Sequence, residues 1–167
     1  MAYDDFTSGK RAMDACHLMV ARLGGDAELR TSMWKFDVLR STQLNQTAVE
    51  DAVEADVIIV ANARNSGLSD SVKTWIDGWA PRKRGQAAAL VALLDFTDDE
   101  VQAAARTQSI LKAAAAEAQM EFLPQEIRLP LGSLSPASIT ASVDLPRRRP
   151  VPPVIGTPRF EGWGIND

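Results

Sequence analysis

Apolar residues follow two rhythms along this chain, and the clearest change between them lies within residues 53–79. Val57-Ile58-Ile59-Val60 is an unbroken β-branched run. A strand with one wet face alternates apolar and polar residues, so an unbroken run predicts a strand covered on both faces, as in a parallel sheet. Residues 62–69 are polar and include Gly67, which predicts a loop. Ser69 or Asp70 is placed to cap the helix that follows. Val72, Trp75, Ile76 and Trp79 then recur at i, i+3, i+4 and i+7, one face of a helix that Pro81 stops.

The same alternation of strand and helix extends in both directions. Ala2 and Tyr3 are the only apolar residues before Asp4-Asp5 that suit a first strand, so that strand is a stub or the natural start lies upstream. Thr7 or Ser8 is placed to cap a first helix with Met13, Cys16, Val20 and Leu23 on its inner face, ended by Gly24-Gly25. Trp34, Phe36 and Val38 alternate with polar residues as in an edge strand, and a second strand is expected near residues 29–34. Ser41 or Thr42 caps a second helix carrying Leu44, Ala48, Val49, Ala52 and Val53. Residues 87–94 (AAALVALL) suit a buried fourth strand ahead of Asp95. Thr97 or Asp98 caps a long alanine-rich helix reaching about Gln119, and residues 120–123 form a fifth strand closed by Pro124. This rhythm predicts an α/β fold with right-handed crossovers, a three-layer α/β/α sandwich.

Composition adds an organisational boundary. Eight of the nine prolines lie at or beyond Pro124, so residues 1–123 read as the domain and 124–167 as a proline-rich extended tail. The tail ends with Phe160, Trp163 and Ile165, which predicts that part of it docks on the domain or on a second subunit. The net charge of −4 argues against general nucleic-acid binding. Cys16 stands alone, which excludes an intrachain disulfide and suits a reducing cytoplasm. No apolar run is long enough to span a bilayer, and no signal peptide opens the chain.

Candidate chemistry gathers at the carboxyl ends of the strands, where open α/β sheets bind ligands. Asp4, Asp5 and Asp95 all fall there, and three carboxylates could hold Mg²⁺. With YDDFTSGKRAMDACHLMVARLG the chain resembles the receiver domains of bacterial response regulators, its Asp4 and Asp5 matching that family's acid pair. The resemblance implies a flavodoxin-like sheet of order 2-1-3-4-5. It departs from the family at three places. Ala61-Asn62 stands where the phosphoacceptor aspartate belongs, Leu94 or Asp95 where a hydroxyl residue belongs, and Leu123-Pro124 where lysine-proline belongs. A phosphorylatable receiver is therefore not expected, since the nucleophile is missing.

The first loop also reads as a phosphate cradle, with Thr7, Ser8 and Gly9 at a helix N-terminus. In that respect it resembles flavodoxins and flavin reductases, which implies flavin mononucleotide as cofactor. Asn62, Arg64, Asn65 and Ser66 in the third loop would complete such a site. His17 has no second histidine to share a metal with and reads as structural, and Cys16 as inert core. The basic runs Arg82-Lys83-Arg84 and Arg147-Arg148-Arg149 read as solvated loops, with phosphate or an acidic partner as the alternative. The function expected is a non-catalytic, receiver-like interaction or signalling module. The alternative is an FMN-binding protein, and a carboxylate hydrolase has the least support because no nucleophile–histidine set can be assembled.

Overall fold

A computed structural model describes residues 1–23, 29–63 and 67–128 of the chain. Among these residues five parallel strands form one sheet: β1 (Ala2–Tyr3), β2 (Trp34–Lys35), β3 (Val57–Asn62), β4 (Ala89–Phe96) and β5 (Glu121–Arg128). Their order is β2-β1-β3-β4-β5, the flavodoxin-like order. Four helices connect them: α1 (Phe6–Leu23), α2 (Thr42–Glu54), α3 (Asp70–Trp79) and α4 (Val101–Ala118). Among the described residues no helix is long and apolar enough to cross a membrane.

The β-branched run behaves as its pattern predicts. β3 lies between β1 and β4, paired with Ala2↔Val60 on one side and Ile58↔Leu90 on the other. Ile58, Ile59 and Val60 are buried, and only Val57 at the strand entrance is half exposed. Because side chains alternate across a strand, the two faces of the sheet collect different residues. Ile58, Val60, Leu90, Ala92 and Leu94 pack with residues of α2, α3 and α4. Ile59, Ala61, Val91 and Leu93 pack on the other face with Ala12 and, around it, Ala15, Cys16 and Met19 of α1. Among the described residues the sheet is thus the middle layer, with three helices on one side and one on the other.

The α3 face is as expected: Val72, Trp75, Ile76 and Trp79 are all buried. The two indoles meet edge to face, with ring centroids 5.8 Å apart. Trp75 Nε1 donates to the Ala48 carbonyl of α2 at 3.0 Å. On α2, Leu44 is exposed and Asn45 is buried in its place. The Asn45 amide donates to the carbonyls of Leu39 and Ser71, tying α2 to both flanking segments, and an aliphatic side chain could not satisfy those groups.

Four other expectations are corrected. The inner face of α1 is Ala12, Ala15, Cys16 and Met19, rotated from the expected Met13, Cys16, Val20 and Leu23. Small side chains let this helix settle close to the sheet, and Gly9 takes that furthest. A Cβ there would stand 2.7 Å from Tyr3 Cδ2. The α1 cap is Asp5, not Thr7 or Ser8, as the site geometry below shows. β2 is shorter and later than expected, with Val38 in a 3-10 turn (Val38–Arg40) rather than in the strand. β5 does not close at Pro124 but continues to Arg128, and among the described residues it is the last strand of the sheet. Proline is tolerated on an edge strand where its nitrogen faces away from the ladder. Gly24, Gly25, the Leu23 side chain and the tail from residue 129 lie outside the described residues.

Candidate functional site

β1, β3 and β4 all end at one edge of the sheet, and α1 begins there. Asp4 follows β1 directly, its N–H donating to the Ala61 carbonyl of β3 at 3.1 Å. Asp5 is the residue before α1, and it caps the helix. Its Oδ1 accepts the Ser8 N–H at 2.8 Å, while Ser8 Oγ accepts the Asp5 N–H at 2.9 Å and donates to the Asp5 carbonyl at 2.9 Å. This reciprocal arrangement satisfies free first-turn donors and puts a negative charge where the helix dipole favours one. Thr7 is exposed beside it, Ser8 is buried, and Gly9 lies against the Tyr3 ring.

Of the groups that read as a phosphate cradle, the Ser8 hydroxyl and the N–H groups of Ser8 and Gly9 are thus engaged by Asp5. An incoming phosphate would meet a carboxylate at that position, and the Ser8 hydroxyl is already committed on both its donor and acceptor sides.

Asp95 near the end of β4 forms an ion pair with Arg11, one turn further along α1 than Ser8. Both side chains are mostly buried, so the pair is less screened than one at the surface. Asn62 ends β3 and is buried. Arg64, Asn65 and Ser66 lie outside the described residues. Asp4, Asp5 and Asp95 come to the same edge, but among the described residues no three His, Cys, Asp or Glu side chains are grouped to hold a metal ion. The crevice between β3, β4 and the start of α4 is lined by Asn62, Asp95, Phe96 and Glu100, and it holds about 10 Å³ of space. That is the room of about one water. Glu100 is buried there because its carboxylate accepts the Thr97 N–H at 2.8 Å. Phe6, by contrast, is 83% exposed at the same rim.

The first basic run has a different role from the one its sequence suggests. Helices in this fold run against the strands, so their C-termini lie at the opposite edge of the sheet. Lys83 is buried there, and its Nζ donates to the carbonyl of Val53 at 2.8 Å and to that of Ala55, at the end of α2. Burial lowers its pKa from the usual lysine value, and Asp56 opposes that shift. Arg84 Nε donates to the Glu117 carbonyl near the end of α4 at 3.2 Å. Arg82 forks onto Glu50 at 2.8 and 2.7 Å. Cations at helix C-termini complement the dipole and the free carbonyls. A run of three basic residues carries no sign of this in sequence, because the partners come from helices distant in the chain.

Sequence reasoning also missed a hollow of about 480 Å³ between α2 and α3, lined by Leu39, Asn45, Val49, Ser71, Gly78 and Arg82. A signal for it was Asn45 on an otherwise apolar face, whereas Gly78 marks close packing, since a Cβ there would stand 2.7 Å from Val49 Cγ2. His17 is exposed on α1, and Cys16 is partly buried against the sheet. Compared with known proteins, the chain matches no family model, and no curated protein matches it significantly.

Proposed function

We propose that this chain is a non-catalytic, receiver-like interaction module on a flavodoxin-like sheet. The observation that carries the reading is how the carboxyl edge is occupied. The acid pair is present, yet Asp5 caps its own helix and Asp95 is tied to Arg11. The end of β3 supplies Ala61 and Asn62, neither of which can form an acyl phosphate. Polar groups committed to one another rigidify an edge rather than reacting at it. What the edge presents outward is Phe6, an aromatic suited to anchoring a protein partner. Incubation with Mg²⁺ and acetyl phosphate is expected to leave the mass unchanged. A phosphorylated species would overturn the proposal. A melting temperature that rises with added flavin mononucleotide would replace it with the cofactor-binding alternative.

A further inference from the structure

Among the described residues β5 is the outermost strand on its side of the sheet, and it carries a feature that none of the above uses. β5 pairs with β4 from Ala89↔Glu121 to Phe96↔Arg128, so its other side is an eight-residue edge. The Glu121 N–H donates to the Ala88 carbonyl at 3.1 Å. In a parallel ladder a residue's N–H and C=O point to the same neighbour, and successive residues alternate. Glu121, Leu123 and Gln125 therefore direct their backbone toward β4. Phe122, Pro124 and Glu126 direct theirs away from it. Pro124 thus sits near the middle of the strand, at a position where its missing N–H costs the sheet nothing.

We infer that Pro124 keeps this edge closed to a second copy of the chain. The partner follows from symmetry: two β5 edges brought together about a two-fold axis pair antiparallel and join two sheets into one. Centred on Pro124, that pairing sets Phe122 opposite Glu126 and Pro124 opposite its own counterpart. The outward residues are the ones that exchange hydrogen bonds, so the central pair loses both of its bonds, and two proline rings face each other. Shifting the register by two residues still brings each Pro124 into the ladder. The flanking side chains Leu123, Gln125 and Glu126 are exposed and offer no steric obstacle of their own. An edge this long would otherwise be a template for pairing.

The test is Pro124→Thr, which restores the donor at an exposed position. Sedimentation across a concentration series is expected to show self-association at least about tenfold tighter than for the natural chain, the effect of two recovered hydrogen bonds. Adding Glu126→Pro to that variant removes an outward donor again and is expected to return it to the natural behaviour. A folded Pro124→Thr chain that associates no more than the natural one overturns the inference. If that variant fails to fold, amide exchange in the natural chain decides. Phe122 and Glu126 are expected to exchange rapidly at every concentration, and protection of either amide, constant or growing with concentration, would show the edge already covered and overturn the inference.

Discussion

The two faces of the sheet are held by opposite means. Under α2, α3 and α4 the core is made of bulk: Trp75, Trp79, Leu90, Leu94, Leu111 and Phe96 fill the space between layers. Under α1 it is made of proximity: Gly9, Ala12 and Ala15 bring a helix backbone close to Tyr3, Ile59 and Ala61. The difference teaches that apolar burial tolerates different errors on each face. The first face is most sensitive to losing the volume of its large side chains and the second to gaining volume, though Gly78 against Val49 on the first face resists gain as well.

Mutations can test that contrast. The largest effect is expected for Trp79→Ala, a fully buried side chain whose removal leaves a cavity, at about 3–5 kcal/mol in urea unfolding. Ala12→Leu should also cost about 1–3 kcal/mol, although it adds apolar surface, because the site beneath it is filled. If Ala12→Leu stabilises the chain, α1 is not held to the sheet by close approach. Asp5→Ala removes the α1 cap and is expected to cost about 1 kcal/mol, with Asp5→Asn recovering most of it. The smallest effect is expected at Glu50, which lies on the surface of the bulky face and pairs with Arg82. Its hydrogen bond from Arg82 lowers the carboxyl pKa. The folded state therefore holds the proton less tightly than the unfolded chain does, so the pair stabilises above the ordinary carboxylate range. That contribution is lost as pH falls through the lowered value. Glu50→Gln should flatten this slope slightly and do nothing at high salt.

The same contrast explains what could be read in the sequence. Bulk leaves a periodic signature: the β3 run and the 72-75-76-79 face of α3 lie where their patterns place them, while the AAALVALL strand forms two residues later than its pattern places it, at Ala89–Phe96, so that Asp95 lies inside β4. Proximity leaves almost none. Large residues drew the inner face of α1 toward Met13 and Val20, while the sheet selected the smaller Ala12 and Ala15. Pro124 read as a strand end because a lone proline does not reveal whether its nitrogen faces a neighbour or solvent. At the candidate site, Asp4, Asp5 and Asp95 reached the expected edge because strand ends locate them. Their partners were not legible. Asp5 bonds forward to Ser8, and Asp95 meets Arg11 across a separation of 84 residues, a pairing without any local spacing. Arg64, Asn65 and Ser66 fall outside the described residues.

The two-residue β1 has a mechanical consequence. Among the described residues it alone joins β2 to the rest of the sheet, through the amides of Trp34 and Phe36 on one side and Asp4 on the other. So short a seam is expected to unzip well before the β3–β4 ladder, letting one flank of the molecule breathe while the other stays shut.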